Sequence, residues 1–413
     1  MDISRRKFVH LTSAAVVTTA YAQSTNGAIK ASAKTKNDPL GVRKDFPLLK
    51  NVNYLNTAYH SVSPNQVVEA GVQFYRDRAN PADSIGPFLA NGRSVRTKFA
   101  QMVGAMPNEI AFINATSEAE NIIANAVDLK EGDNIVTDDL QYPSSFVLYD
   151  HFAKTKGVEV RIVKRDKSGA TSIEDFEKLV DEKTRIISVS WVSHDNGYQH
   201  DLKALASLAH SHNAYFYVDA IQGVGMLELD VKEADIDFFG CGTYKWLLGS
   251  YGVAFFYVRS ELQDIIKADR QGWRSVKDDS PLTDFDHYTD AAKYGYATPA
   301  FGAINVVGTA LDYISNIGIK NIEAHTVPLA HQIRSSLIDH NIDTDTPPAN
   351  RSAIVTYYHG KDPALVKKLY DGENIKVSFK HEGLKIRVSV SLFNNQNDID
   401  HFNDVTAKIP LLG

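Results

Sequence analysis

An aspartate and a lysine each follow an apolar run in this sequence, and that pair can do cofactor chemistry. The run Tyr215-Phe216-Tyr217-Val218 ends in Asp219, with Gln222 close behind. A second run around Asp237 to Gly240 leads into Gly242-Thr243-Tyr244-Lys245-Trp246. Near-continuous apolar runs of this length read as buried strands. Polar residues that follow such strands gather at the carboxyl edge of an α/β sheet, where ligands bind. A lysine amine there can form a Schiff base with an aldehyde, and a carboxylate can keep a ring nitrogen protonated. Pyridoxal phosphate (PLP) needs both groups. The plainer readings are a helix cap or loop acid for Asp219 and a solvent-facing charge for Lys245.

The surrounding elements must place that pair. Helical spacing covers Val67 to Arg78, Val95 to Gly104, Glu118 to Val127, Phe146 to Lys156 and Leu202 to Ser211. Between them, Glu109 to Asn114, Asn134 to Thr137, Val158 to Val163, Arg185 to Val192, Ala214 to Val218 and Gly252 to Val258 read as strands. Buried strands alternating with helices predict a large, doubly wound, mostly parallel sheet with helices on both faces. After Ala300 the pattern changes. Helices near Ala303 to Ile317 and Glu323 to Asp339 precede shorter strands at Ala353 to Tyr358 and Ile386 to Val390. The expected organisation is a large α/β domain over residues 40–300 and a small α+β domain over 301–413.

The stretches Tyr217-Val218-Asp219-Ala220-Ile221-Gln222 and Thr243-Tyr244-Lys245-Trp246-Leu247-Leu248-Gly249 resemble the class V aminotransferase family of fold-type I PLP enzymes. That family includes cysteine desulfurases, isopenicillin N epimerase-like proteins and kynureninase-like enzymes. The resemblance runs from Tyr54 to about Asp400, with several motifs in the family's order. It implies that Lys245 carries the Schiff base, Asp219 faces the pyridine nitrogen, and Gln222 donates to the cofactor's ring oxygen. Thr243 falls in the same cofactor-binding segment. Ala115-Thr116-Ser117-Glu118 is similar to the phosphate-binding turn. Independently, that turn lies between a strand and a helix, where free N–H groups and the helix dipole favour an anion. Thr116 and Ser117 could also simply cap the helix.

Gln141-Tyr142-Pro143-Ser144 matches the place where the family sets a ring over the cofactor, so Tyr142 is expected to stack, against the plainer reading of a packing tyrosine. Ala297-Thr298-Pro299 resembles a motif that reaches the phosphate of a neighbouring subunit, which implies a homodimer with Thr298 in a shared site. Ile386-Arg387-Val388-Ser389 is similar to the carboxylate-binding motif, with Arg387 gripping the substrate α-carboxylate in a fork. Tyr54-Leu55-Asn56-Thr57-Ala58 resembles the segment that lines the substrate site, and brings in Asn56.

Two departures matter. Where relatives often carry Asn, this chain has His194, in Val192-Ser193-His194-Asp195-Asn196-Gly197; either His194 or Asn196 could meet the cofactor or substrate. Desulfurases place a nucleophilic cysteine in the loop before the arginine motif, but that region here reads Val377-Ser378-Phe379-Lys380-His381-Glu382-Gly383. The single cysteine, Cys241, lies at a strand end and is expected to be a buried structural thiol. This disfavours conventional cysteine desulfurase activity.

The implied chemistry works at the α-carbon of an amino acid or peptide. The amine released from the cofactor at Lys245 moves the α-proton. The aminotransferase outcome is the leading expectation, with epimerisation or C–S/β-elimination as alternatives. Epimerisation would need a second acid, for which Tyr142 is the candidate. A non-catalytic PLP-fold binding protein is the reading from another class, and the joint presence of Lys245, Asp219 and Arg387 argues against it.

Composition sets outer bounds. The chain has 413 residues, 43% hydrophobic and 23% charged, which is ordinary for globular proteins. A net charge of −6 without a basic stripe argues against nucleic acid. One cysteine cannot form an intramolecular disulfide, and the fourteen histidines show no HExxH spacing. At the N-terminus, Ser4-Arg5-Arg6-Lys7-Phe8-Val9 is a twin-arginine pattern, followed by a short apolar stretch and Ala20-Tyr21-Ala22. The stretch is too short and polar to span a membrane. The expectation is a twin-arginine (Tat) signal peptide over 1–22, recognised by the Tat machinery, then a mobile linker over 23–39 and a periplasmic enzyme. Tat substrates cross folded, so the cofactor could be loaded beforehand. By analogy with exported family members that modify siderophore peptides, the substrate could be such a peptide.

Overall fold

A computed structural model describes residues 34–35, 37–80 and 84–412. The expected signal peptide and most of the linker lie outside the described residues. The linker's end does not: Asp38 accepts hydrogen bonds from the N–H groups of Val42 and Arg43, and the Asn37 carbonyl accepts one from the Asn395 amide. The chain is therefore anchored slightly before Leu40, the expected start of the folded region.

The strands are β1 Asn53–Tyr54, β2 Ile110–Ile113, β3 Asn134–Asp138, β4 Glu159–Val163, β5 Thr184–Ser190, β6 Tyr215–Asp219, β7 Phe238–Gly242 and β8 Ala254–Val258. Strands β2 to β8 form one sheet in the order β2-β8-β7-β6-β5-β3-β4. The pairs β3–β4, β3–β5, β5–β6 and β6–β7 are parallel, while β8 runs antiparallel to both neighbours. Every residue of β3, β7 and β8 is buried, and so are most of those in β5 and β6. Burying one Val, Ile or Phe side chain contributes roughly 1.5–3 kcal/mol. The expected mostly parallel α/β sheet is what forms.

The helices around it are α1 Asn65–Asp77, α2 Gly86–Met102, α3 Thr116–Ala126, α4 Pro143–Lys156, α5 Ile173–Glu177 and α6 Leu202–Ser211. Four begin earlier than their apolar spacing predicts, α2 and α4 by the most. In α2 and α4 a proline occupies the first helical turn, Pro87 and Pro143, where its missing N–H costs nothing. Helix α4 ends on Gly157 at φ +67°, a left-handed stop that turns the chain into β4.

Towards the C-terminus come α7 Phe301–Ile317, α8 Ile319–Asp339, α9 Pro363–Gly372 and α10 Gln396–Thr406. With them are β9 Asp343–Thr344, β10 Ile354–Tyr358, β11 Ile375–Lys376, β12 Ser378–Lys380 and β13 Lys385–Ser389. A second sheet has the antiparallel order β12-β13-β10-β9. The early strand β1 pairs with β11, and Asn56 bridges to Ser389. The segment around Asn56 is thereby carried to the small sheet, beside Arg387. Among the described residues, no helix is long and apolar enough to cross a membrane.

Candidate active site

Asp219 closes β6, in register with Ser190 of β5 and Gly240 of β7, at the carboxyl edge of the large sheet. One carboxylate oxygen accepts the Ile221 N–H at 3.0 Å. Burial raises its pKa and the charge on Lys245 partly offsets this. A cation placed on Asp219 would therefore be strongly held.

Lys245 follows β7 and is buried, 6% exposed. Burial, reinforced by Arg387 and opposed by Asp219, pulls its amine down to about 7. The amine is thus free to be neutral at ordinary pH, as a nucleophile or proton acceptor must be. A tight turn holds it: the Leu248 N–H donates to the Lys245 carbonyl at 3.0 Å, with Leu248 at φ +56°. Thr243 ties both sides of that turn. Its hydroxyl lies 2.7 Å from the Ser250 carbonyl and 3.0 Å from that of Val253, and its carbonyl accepts the Gly249 N–H. Thr243 was expected to bind the cofactor; in the structure its hydroxyl faces the backbone of its own turn. Its one proton is engaged by backbone, so it positions the lysine turn.

Helix α3 points its N-terminus at the same edge. Its N-cap is Ala115, with no side-chain cap, so first-turn N–H groups stay available to an anion. The capping alternative for Thr116 and Ser117 is not realised. Thr116 accepts the Gly242 N–H at 2.9 Å and Ser117 donates to the Ser144 hydroxyl at 3.0 Å. Glu118 would repel a phosphate, but Arg270 pairs with it. Strand and helix meet closely here. A Cβ on Gly240 would lie 2.7 Å from that of Ala119, so only glycine fits.

Gln222 is buried with its amide orientation fixed by chemistry. The Trp246 indole N–H donates to its oxygen and its nitrogen donates to the Ala58 carbonyl, both at 2.9 Å. One amide N–H remains for a ligand. Tyr142 is the N-cap of α4 and 45% exposed. Its ring meets that of His194 edge-on, with centroids 4.9 Å apart. His194 Nδ1 is buried without a partner, and burial, Lys380 and Arg387 push its pKa down to about 3. The imidazole is neutral. Asn196 is spent elsewhere, bonded to the Gly169 carbonyl and the Tyr198 N–H, so it does not replace His194.

Arg387, on β13, is 2% exposed. Nη1 donates to the His194 carbonyl at 2.7 Å and Nη2 to the Ser378 hydroxyl at 3.3 Å, while Nε has no partner. Burial lowers its pKa to about 10. Among the described residues no carboxylate lies within ion-pair distance of it, as suits a receptor for an incoming anion. Asn56 joins through Ser378, whose hydroxyl donates to the Asn56 side-chain oxygen Oδ1 at 2.5 Å.

Thr298 stands apart. It is exposed and lines a cavity of about 400 Å³ with Arg93, Arg96 and Arg274 but with none of the other candidates. Residue spacing also gives no sign of three further groups. Ser378 and Lys380 share β12, too short a strand for its alternation to stand out. Glu120 lies buried under the edge, receiving hydrogen bonds from Ser145, Tyr149 and Ser188.

The donor set fits PLP: an uncapped helix N-terminus for phosphate, a buried acid for a ring cation, a neutral buried amine, and a ring beside them. Comparison with known proteins agrees. The aminotransferase class-V family profile matches residues 53–402. A probable cysteine desulfurase of Methanothermobacter thermautotrophicus is 28% identical over 399 residues, covering 90% of this chain and 98% of the relative. A cysteine desulfurase of Escherichia coli O6:K15:H31 is 28% identical over 396 residues, covering 87% and 95%. The apo structure of the cysteine desulfurase from Thermococcus onnurineus superposes with a TM-score of 0.83 at 25% identity, covering 92% of this chain and all of that one. This chain belongs to the class V aminotransferase family of fold-type I enzymes, and its cofactor is pyridoxal phosphate.

Proposed function

We propose that this protein is a PLP-dependent C–S lyase that cleaves a cysteine-type amino acid without storing sulfur on a thiol of its own. The curated relatives named above are cysteine desulfurases, which favours C–S chemistry over the aminotransferase outcome expected from sequence. The observation that carries the second half is the place of Cys241. It is the chain's single cysteine and is 0% exposed. Its Sγ lies 3.9 Å from the Ala220 carbonyl and 3.7 Å from that of Gly242. Burial pushes its thiol pKa up, away from the reactive thiolate.

Bound to Lys245, the cofactor supplies an electron sink for the substrate's α-carbon. Arg387 holds the α-carboxylate, steadied by the His194 carbonyl and by Ser378, which is itself held by Asn56. Lys245, its amine freed when the substrate's amine takes its place, takes the α-proton on Nζ. Asp219 keeps its negative charge at the ring nitrogen, with Tyr142 and His194 walling the site. The β-sulfur then leaves with the C–S bonding pair, and water converts the remainder to ammonia and a 2-oxo acid. The test is product analysis of the holoenzyme with cysteine and S-substituted cysteines. Thiol, ammonia and oxo acid should form in equal amounts. Oxo acid with an aminated cofactor and no thiol would mean transamination. Recovery of inverted substrate alone would mean epimerisation. Either result overturns the proposal.

The reading includes export and pairing. The twin-arginine stretch supports a periplasmic enzyme, which cell fractionation tests. The resemblance of the Thr298 segment supports a homodimer, which sedimentation tests.

A further inference from the structure

We propose that Lys380 recognises a second anionic group, so that the substrate carries an acid on its sulfur-bearing side chain as well as its α-carboxylate. This rests on the amino-acid lyase reading above. The argument starts from register. Ser378 pairs with Arg387 across β12 and β13, and Lys380 pairs with Lys385. Alternate residues share a face of a strand, so Ser378, Lys380, Lys385 and Arg387 all present to one side. That side is the cleft: Ser378 and Arg387 bond one another there, and Arg387 reaches the His194 carbonyl. The intervening Phe379 lies near Tyr370, a core residue of the small sheet.

The neighbouring acids are already committed. Asp195 takes Lys385 at 2.8 Å and Arg165 at 2.7 Å, and Asp345 takes Lys385 at 2.5 Å and Arg165 at 3.5 Å. Lys385 is wholly buried in this network. Lys380, partly buried on the same face, forms no ion pair among the described residues. Its charge acts on Lys245 and His194, and it repels and is repelled by Arg387. Asp195, already held by Lys385 and Arg165, attracts both from beyond ion-pair distance, so two cations without an acid of their own face one cleft. One α-carboxylate answers Arg387 and leaves Lys380 partly desolvated and without an ion pair, which is unfavourable. A second acid on the substrate answers both. A carboxylate, sulfinate or sulfonate borne on the sulfur substituent has that chemistry.

The test uses the holoenzyme and titrates its visible absorbance with acid and amide partners of matched shape. The pairs are aspartate and asparagine, glutamate and glutamine, and S-carboxymethylcysteine and S-carbamoylmethylcysteine. At least one acid should bind tenfold or more tightly than its amide. Lys380→Gln should bring that ratio near one, and Lys380→Arg should keep it, with circular dichroism confirming both folds. Equal binding of acid and amide in every pair overturns this inference and leaves the lyase reading standing. A preference that survives Lys380→Gln also overturns it. No spectral response to any amino acid overturns the lyase reading and this inference with it.

Discussion

Nη1 of Arg387 donates to the carbonyl of His194 at 2.7 Å, and this bond ties the small sheet to the loop after β5 of the large one. The guanidinium is thereby aimed while its Nε stays unpartnered. The protein has buried a cation and left part of its hydrogen-bonding capacity for a ligand. Arg387→Ala should raise KM for amino acids about 100-fold, the order expected for losing a charge-assisted fork. Arg387→Lys keeps the charge but not the fork and should raise KM about tenfold. Steady-state kinetics with the best substrate checks both. An unchanged KM would remove Arg387 from carboxylate binding.

Lys245 carries a pH signature. Its amine titrates near 7 in the fold, so uptake of cofactor by the apoprotein, which needs the neutral amine, should rise with pH through about 7 and then level off. Stopped-flow absorbance on mixing with the cofactor measures it. The same burial sets stability. The folded value lies below the unfolded one, so between about 7 and 10.5 the unfolded chain binds the extra proton. Apoprotein stability should rise with pH across that window and carry the full penalty below it. Lys245→Met should stabilise the apoprotein at neutral pH by roughly a few kcal/mol, since each tenfold displacement of a proton equilibrium costs about 1.4 kcal/mol. The same variant should lose all borohydride-fixed cofactor.

The convergence of the candidate residues was legible where chain order carries it. Asp219 and Lys245 each follow a buried apolar strand, and a parallel sheet brings strand ends to one edge. The backbone bonds of the Thr243 hydroxyl were not legible, because position in the lysine segment says nothing of which way a hydroxyl turns. Lys380 stayed hidden because its meaning depends on the pairing of β12 with β13, and on acids from β5, β9 and their loops being already engaged by Lys385 and Arg165. The antiparallel course of β8 was equally invisible, since burial on both faces leaves the same apolar run in either direction.

In the proposed mechanism, Asp219 and the cofactor's ring nitrogen would form the other charge pair. Burial raises the Asp219 pKa in the apo fold, so a cation opposite it is what holds it ionised. Asp219→Asn keeps the shape and loses the charge. The variant should still bind cofactor at Lys245 but lose about 100-fold or more in kcat, with KM changed much less. Single-turnover absorbance would locate the loss in α-proton removal. Near-normal kcat would mean that the charge is not needed.

Cys241 gives the sharpest separation from a thiol-dependent desulfurase. The side chain is fully buried beside the Ala220 carbonyl, where alanine removes one buried sulfur and leaves the Gly242 N–H free to keep its bond to Thr116. Cys241→Ala should cost about 1–2 kcal/mol of stability through the small cavity it leaves, and should change kcat/KM by less than twofold. Iodoacetamide should leave the native enzyme active and label Cys241 only after unfolding. Loss of turnover in a folded Cys241→Ala enzyme, or inactivation of the native enzyme with label on Cys241, would assign sulfur transfer to this thiol and return the protein to the desulfurase chemistry of its relatives.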